Sequence, residues 1–481
     1  MVLANLQPQA FFTHFEAISQ IPRGSGNEKA VSDFVAGFAR NLGYKVVQDS
    51  LQNLIIYKPA SPGHESRPAV ILQGHLDMVC EKNAGTAHDF MTDPLKLVVD
   101  GDFVRAEGTT LGADNGTAVA LCMAILEDKS LQHPPLEMVL TVEEETGMAG
   151  AEGLDAKLFS ATRMLNLDSS KERTITIGCA AGVTVEYDLP LSFEAVPQDM
   201  AAFTLTIKGL HGGHSGADIH KGRGNALVIL GCVLAALEKD CKIRLAKAHG
   251  GMKLNAIPRE ALAEILVPQA HASAMLAQVE ECFRSFKDMY KATEPGLKIT
   301  CESAPLPARL FAANSSDKLI ASLLLLPNGV QSMSQEMPGV VAASCNLGVL
   351  ETQKDAVRIS CFPRGATQNH LSRMEQQIRA LASRTEARTR FIQRSPAWAF
   401  NPDSELLKTV VACYEKQNGE KPTVTALHVG LECGILAEKL PGLDVVSLGP
   451  DTFDLHTPDE RLSISSTQRV WTFLLRLLEA L

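Results

Sequence analysis

The 481 residues correspond to about three domain-sized units of ~150 residues, or two larger ones. Hydrophobic residues at 45% and charged residues at 21% are ordinary globular composition and exclude a disordered chain. A balance of 45 Lys+Arg against 55 Asp+Glu, net −10, leaves no basic excess, so a nucleic-acid partner is not expected.

The longest strongly apolar run, near 227–237, falls well short of the ~18–20 residues that span a bilayer, so no membrane partner is expected. The opening Met1-Val-Leu-Ala-Asn-Leu-Gln-Pro lacks a basic segment followed by an apolar one, as a secretory signal has. The 11 cysteines are odd in number and form no CxxC pair, which suits reduced thiols in a cytoplasm better than a disulfide framework.

In chain order, residues 34–42 read as an amphipathic helix. Strand-like runs follow at 69–73, 136–142 and 163–167, with an Ala-rich segment at 116–126 that reads as a buried helix. Such alternation predicts βαβ units and a mainly parallel sheet with helices on both faces. From about residue 183 the texture changes. Segments 183–189 and 202–208 alternate with period two, as half-buried antiparallel strands do, and helices are predicted over 225–237 and 274–289. A further strand is predicted over 356–362 and a helix over 371–382. Helix, strand and helix patterns return at 404–416, 444–448 and 467–478. The predicted fold is therefore α/β: a first domain of residues 1–182 and 395–481, interrupted by an α+β domain of residues 183–394.

In open α/β sheets, ligands bind beyond the carboxyl ends of the strands. Those exits here read Gly74-His75-Leu76-Asp77, Glu143-Glu144-Glu145-Thr146-Gly147, Asp168-Ser169 and a segment from Gly449 to His456. Gly112-Ala113-Asp114-Asn115-Gly116 directly precedes the buried helix. Each piece alone has an ordinary explanation: a structural histidine, a solvated acidic face, a helix cap. Together, at predicted strand ends, they point to a metal site. Two histidines with several carboxylates suit zinc, cobalt or manganese rather than magnesium or calcium, which prefer oxygen shells. Residues i and i+2 of an extended segment face one side, so Asp77 can bond the ring nitrogen of His75 that holds no metal. Adjacent Glu144 and Glu145 suggest one metal ligand and one free carboxylate that moves protons.

These residues, in this order and spacing, resemble the M20 family of co-catalytic zinc peptidases. Arg105–Gly116 (RAEGTTLGADNG), Gly209–His220 (GLHGGHSGADIH), 255–260, 428–434 (HVGLECG) and 456–460 (HTPDE) extend the likeness along nearly the whole chain, through the inserted domain, toward the family's dipeptidases. The resemblance implies two zinc ions per subunit, with cobalt or manganese able to substitute. His75, Asp114 and Asp168 would hold one, and Asp114 would bridge to a second held by Glu145 and His456. It implies Asp77 as the partner of His75 and Glu144 as general base and acid. It further implies that the inserted domain is a lid, that the chain forms a homodimer, and that His214 reaches the substrate. Asn255 and Arg364 match more loosely as substrate contacts. Arg364 follows a predicted strand, and its planar fork suits the carboxylate of a dipeptide.

The implied function is metal-dependent hydrolysis of dipeptides with broad specificity, Xaa-His dipeptides among them, in the cytoplasm. Two alternatives share the scaffold. An amidohydrolase acting on N-acyl amino acids would use the same metal set, which reads the amide and not its flanks. A non-catalytic binding protein would have lost Glu144 or a ligand, and all are present.

Overall fold

The computed structural model describes residues 2–481, which form two compact units. The first comprises residues 2–178, 398–426 and 431–481, and the second residues 179–397 with 427–430.

An eight-stranded sheet organises the first unit. Its order is Lys45–Gln48, Leu54–Lys58, Leu136–Thr141, Val70–His75, Arg163–Asn166, Asp444–Ser447, Thr174–Cys179 and Thr423–Leu427. The four central strands, from Leu136–Thr141 to Asp444–Ser447, run parallel, whereas Lys45–Gln48 and Leu54–Lys58 join antiparallel. The parallel centre is what the apolar runs predict, since parallel strands covered on both faces read as continuous hydrophobic stretches. Val70–His75 and Leu136–Thr141 are buried at every position. Their carboxyl ends deliver His75 and Glu144 toward the same edge of the sheet.

The helix Ala113–Glu127 is apolar on all sides and buried from Asn115 to Leu126, so it lies in the core rather than over it. Helix Gln9–Ser19 covers it with Phe11, Phe12, Phe15 and Ile18. Gly74 explains how closely the helix approaches the sheet: a Cβ there would stand 2.3 Å from both Ala118 Cβ and Asn115 Oδ1. A four-stranded antiparallel sheet, Thr452–Phe453, Arg461–Ser463, Phe103–Ala106 and Leu97–Asp100, ties the C-terminal segment to the N-terminal one.

The second unit is built on a nine-stranded sheet with an antiparallel path from Lys298–Ala304 to Arg388–Ser395. Helices Ala226–Cys241, Ala272–Met289, Ala313–Leu325 and Gln368–Thr385 contribute to its core, with Leu230, Leu234, Met275, Leu319 and Ile378 among the buried residues. Asn225 caps the first of these by accepting from Leu227 N and Val228 N, and its amide donates to Leu347 O. Residues 427–430 belong here because Ala180 N bonds Val429 O and His428 bonds Ser344. Among the described residues no helix is long and apolar enough to cross a membrane.

Candidate active site

Seven of the residues singled out from the sequence cluster in the first unit. His75 ends a central strand, and its Nε2 lies 3.1 Å from Asp114 Oδ1 and 3.8 Å from Asp168 Oδ1. His456 Nε2 lies 3.3 Å from the other oxygen of Asp114, Oδ2, and 3.1 Å from Glu145 Oε1. Asp114 therefore faces two donor groups with its two oxygens. Three sets of donor atoms lie within 4.8 Å of one another: His75/Asp114/Asp168, Asp114/Glu145/His456 and His75/Glu144/Glu145.

The backbone around each donor is tightly specified. Asn115, joined to Asp114 by a cis peptide, accepts from His75 N at 3.2 Å and donates to Leu167 O at 3.0 Å. It thereby ties the Asp114 loop to two strand ends. Asp77 lies 3.2 Å from His75 Nδ1 through Oδ1, so His75 keeps Nε2 directed at Asp114. Asp77 also accepts from Glu144 N and Glu145 N, both at 3.1 Å, and from Ser25 Oγ at 2.8 Å. One buried carboxylate thus orients a histidine and anchors the short helix Glu144–Gly147. Beneath the site, Glu432 Oε2 accepts from Gln73 at 2.6 Å and Thr141 at 2.7 Å, and Asn166 donates to Gln73 at 2.5 Å.

The electrostatics follow from burying so many charges together. Burial pushes Glu144 up to about 8, helped by the charges of Glu432, Glu145 and Asp114 and opposed by His75. Burial and the charge of Asp114 raise Asp168 well above the carboxylate range. Burial would raise Asp77 too, but bonding and charge from His75 outweigh it and hold it at about 2. Hydrogen bonds to Asp114 and Glu145 lift His456 to about 10. Carboxylates this close repel unless protons or cations lie between them. Imidazole nitrogens mixed with carboxylate oxygens at these distances fit a zinc-type divalent ion.

In the second unit, the segments holding His214 and Asn255 run side by side, with Ser215 N bonded to Asn255 O at 2.8 Å. His214 Nδ1 accepts from Gly216 N at 3.1 Å and Ala217 N at 3.0 Å, so its ring proton sits on Nε2, free to donate. Burial, then the charge of Arg364, lowers its pKa and keeps it neutral. Arg364 is buried on the strand Ala356–Gly365, its guanidinium 4.5 Å from the Phe362 ring centre and its Nε without a hydrogen-bond partner. Burial lowers its pKa to about 10. Gly216 is small because a Cβ would stand 2.2 Å from His428 O and 3.2 Å from both Arg364 Nε and His214 Cε1. His428, which sequence reasoning quoted without assigning it a role, joins this group. Its Nε2 lies 2.7 Å from Ser344 Oγ and its buried Nδ1 has no partner. The Asn255 side chain is exposed, and no polar contact of it accompanies the group.

The model for peptidase family M20/M25/M40 matches residues 71–480. The chain belongs to this family. It is 37% identical over 477 residues to the cytosol non-specific dipeptidase of Escherichia coli, covering 99% of this chain and 98% of that protein. The crystal structure of aminoacylhistidine dipeptidase from Vibrio alginolyticus superposes with a TM-score of 0.93 at 37% identity, covering 100% of this chain and 98% of the other. Aminopeptidase PepT from Bacillus cereus, at 14% identity and a TM-score of 0.57 over 99% of each chain, shares the fold. Membership of a metal-dependent peptidase family agrees with the mixed histidine and carboxylate donors of the first unit.

Proposed function

We propose that this protein is a di-zinc dipeptidase of broad specificity that accepts Xaa-His dipeptides. The observation that carries the reading is the placement of Asp114, whose two oxygens face His75 on one side and His456 on the other. His75, Asp114 and Asp168 would hold one zinc, and Asp114, Glu145 and His456 the second. Bound zinc lowers the pKa of water toward ~7 and polarises the scissile carbonyl.

The chain's own residues supply the rest. Glu144, placed by the Asp77 bond to its backbone, takes the proton of the attacking water and returns it to the departing amine. A divalent cation beside Glu144 would favour its charged, proton-accepting form. Asp77 holds the His75 ring in the tautomer that leaves Nε2 free for a ligand bond. In the second unit, Arg364 pairs with the dipeptide carboxylate, and the Nε2 proton of His214 is donated to a substrate oxygen. Asn255 adds a substrate contact from the strand pairing beside His214.

The reading extends to a cytoplasmic homodimer. Among the described residues the cysteines form no disulfide, as in a reducing compartment. Leu324, Leu325, Val330 and Met333 are exposed apolar side chains of the second unit, and sedimentation equilibrium measures the assembly.

Hydrolysis of a small dipeptide panel, Xaa-His included, beside an N-acetylated amino acid tests the function. Apo and zinc-reloaded protein are compared, together with Glu144→Ala. Zinc-dependent cleavage of free dipeptides that disappears in Glu144→Ala is the expected result. Cleavage of the acylated substrate alone would overturn the dipeptidase reading.

A further inference from the structure

The loop that carries Asp114 is gripped from two sides by buried side chains of opposite charge. Glu460 Oε2 accepts from Leu111 N at 2.8 Å and Gly112 N at 2.9 Å. Its Oε1 accepts from Ala113 N at 2.8 Å and Asp114 N at 3.2 Å. Four consecutive backbone donors thus converge on one carboxylate, which has about four lone-pair sites to offer them. From the other side, Arg23 donates through Nη2 to Gly112 O at 2.5 Å and through Nη1 to Leu76 O at 2.9 Å and Asp77 O at 3.1 Å. Both side chains are 2% exposed. Neither touches a donor atom of the candidate metal groups.

The connections have a direction. Glu460 lies four residues beyond His456, in a turn closed by Glu460 N to Thr457 O at 3.1 Å. It therefore docks the His456 segment onto the Asp114 loop. Arg23 docks the exit of the strand Val70–His75 onto the same loop. The three segments that present His75, Asp114 and His456 are fixed to one another through these two side chains. The loop has little slack: Gly112 has φ 66°, and a Cβ there would stand 2.6 Å from Arg23 Nη2 and 2.7 Å from Met78 Sδ. A Cβ on Gly116 would meet the same Arg23 nitrogen at 2.7 Å.

We infer that Arg23 and Glu460 are a paired clamp, positioning residues that set Asp114 between the two donor groups and hold both groups at metal-binding distance. This rests on the metal reading proposed above. A carboxylate is required because an amide at 460 would turn two donors toward backbone N–H groups. A guanidinium is required because a single ammonium does not present a fork to carbonyls on two loops.

The test is zinc affinity, measured by chelator competition on apo protein, for wild type, Glu460→Gln and Arg23→Lys. Circular dichroism and melting of the apo forms report the fold. Wild type binding two zinc ions establishes the reading on which the clamp rests, and wild type binding none would refute that reading separately. With the clamp, each variant keeps the apo fold and binds zinc roughly 10- to 100-fold more weakly. At saturating zinc, kcat falls by a similar factor while KM stays within about twofold, since neither residue meets substrate. A folded variant with wild-type zinc affinity and kcat would overturn the inference, whatever its melting temperature. If Glu460→Gln alone fails to fold, Arg23→Lys decides. Failure of both to fold would also overturn it, by showing a general role in folding.

Discussion

Arg364 offers the sharpest test of how stability and binding are divided in this molecule. It is a buried cation, and among the described residues it forms no ion pair with a carboxylate. Burial lowers its pKa from 12.5 to about 10, which at about 1.36 kcal/mol per pH unit corresponds to about 3 kcal/mol of lost solvation of the charged form. The folded-state value is depressed, so at neutral pH folding disfavours the charged side chain. A neutral replacement removes that term. Methionine at 364 keeps an unbranched apolar stem against Phe362 but gives up the cation–π contact, worth about 0.5–2 kcal/mol. The difference is a net stabilisation of about 1–2.5 kcal/mol.

Binding moves the other way. The charge-assisted pair assigned to the dipeptide carboxylate is worth about 1.5–3 kcal/mol, so kcat/KM falls roughly 10- to 100-fold. Thermal melting of apo protein and steady-state kinetics on one free dipeptide measure the two effects in a single variant. Arg364→Met that melts lower than wild type, or that leaves kcat/KM unchanged, would show that Arg364 is structural and not a stored charge awaiting an anion.

Glu144→Gln is expected to retain wild-type metal content and lose about 10²–10⁴ in kcat; a variant that loses its metal instead would make Glu144 a ligand. Gly112→Ala places a Cβ in the left-handed region and against Arg23 and Met78, and a urea midpoint should register about 2–4 kcal/mol of destabilisation. An unchanged midpoint would mean that the loop relaxes freely. Burial, and then the charge of Arg364, lowers His428 to about 3. The folded state therefore binds fewer protons than the unfolded chain below pH 6.5, and stability falls as pH drops. Between pH 6.5 and 5 the loss is about 2 kcal/mol, and His428→Gln should flatten it in urea unfolding at the two pH values.

The fold class was legible because hydrophobic period survives in the chain. Predicted helices over 116–126, 274–289 and 467–478 lie inside Ala113–Glu127, Ala272–Met289 and Ile464–Ala480. The grouping of His75, Asp114, Glu145, Asp168 and His456 was legible for a topological reason: parallel strands end on one edge of a sheet, so whatever follows them converges. The antiparallel flank Lys45–Gln48 and Leu54–Lys58 was not read from the sequence. Helix Gln9–Ser19 was missed too, although Phe11, Phe15 and Ile18 fall at helical spacing.

Arg23, Glu432 and Glu460 form a different class of omission. Each is a charged residue acting on groups far away in the sequence, and Glu460 serves backbone amides almost 350 positions before it. Glu432 and Glu460 stand in the motifs 428–434 and 456–460 without a role there, because the contacts of Arg23 and Glu460 with backbone, and of Glu432 with Gln73 and Thr141, leave no periodicity in the sequence. His428 is similar, known from the sequence only as part of a motif until Ser344 and Arg364 give it surroundings. Donor types are written locally, at strand exits, whereas the separation between donors is set by long-range buried contacts. A substitution at Glu460 should therefore leave every donor present and still weaken the site, because donor identity and donor spacing are held by different residues.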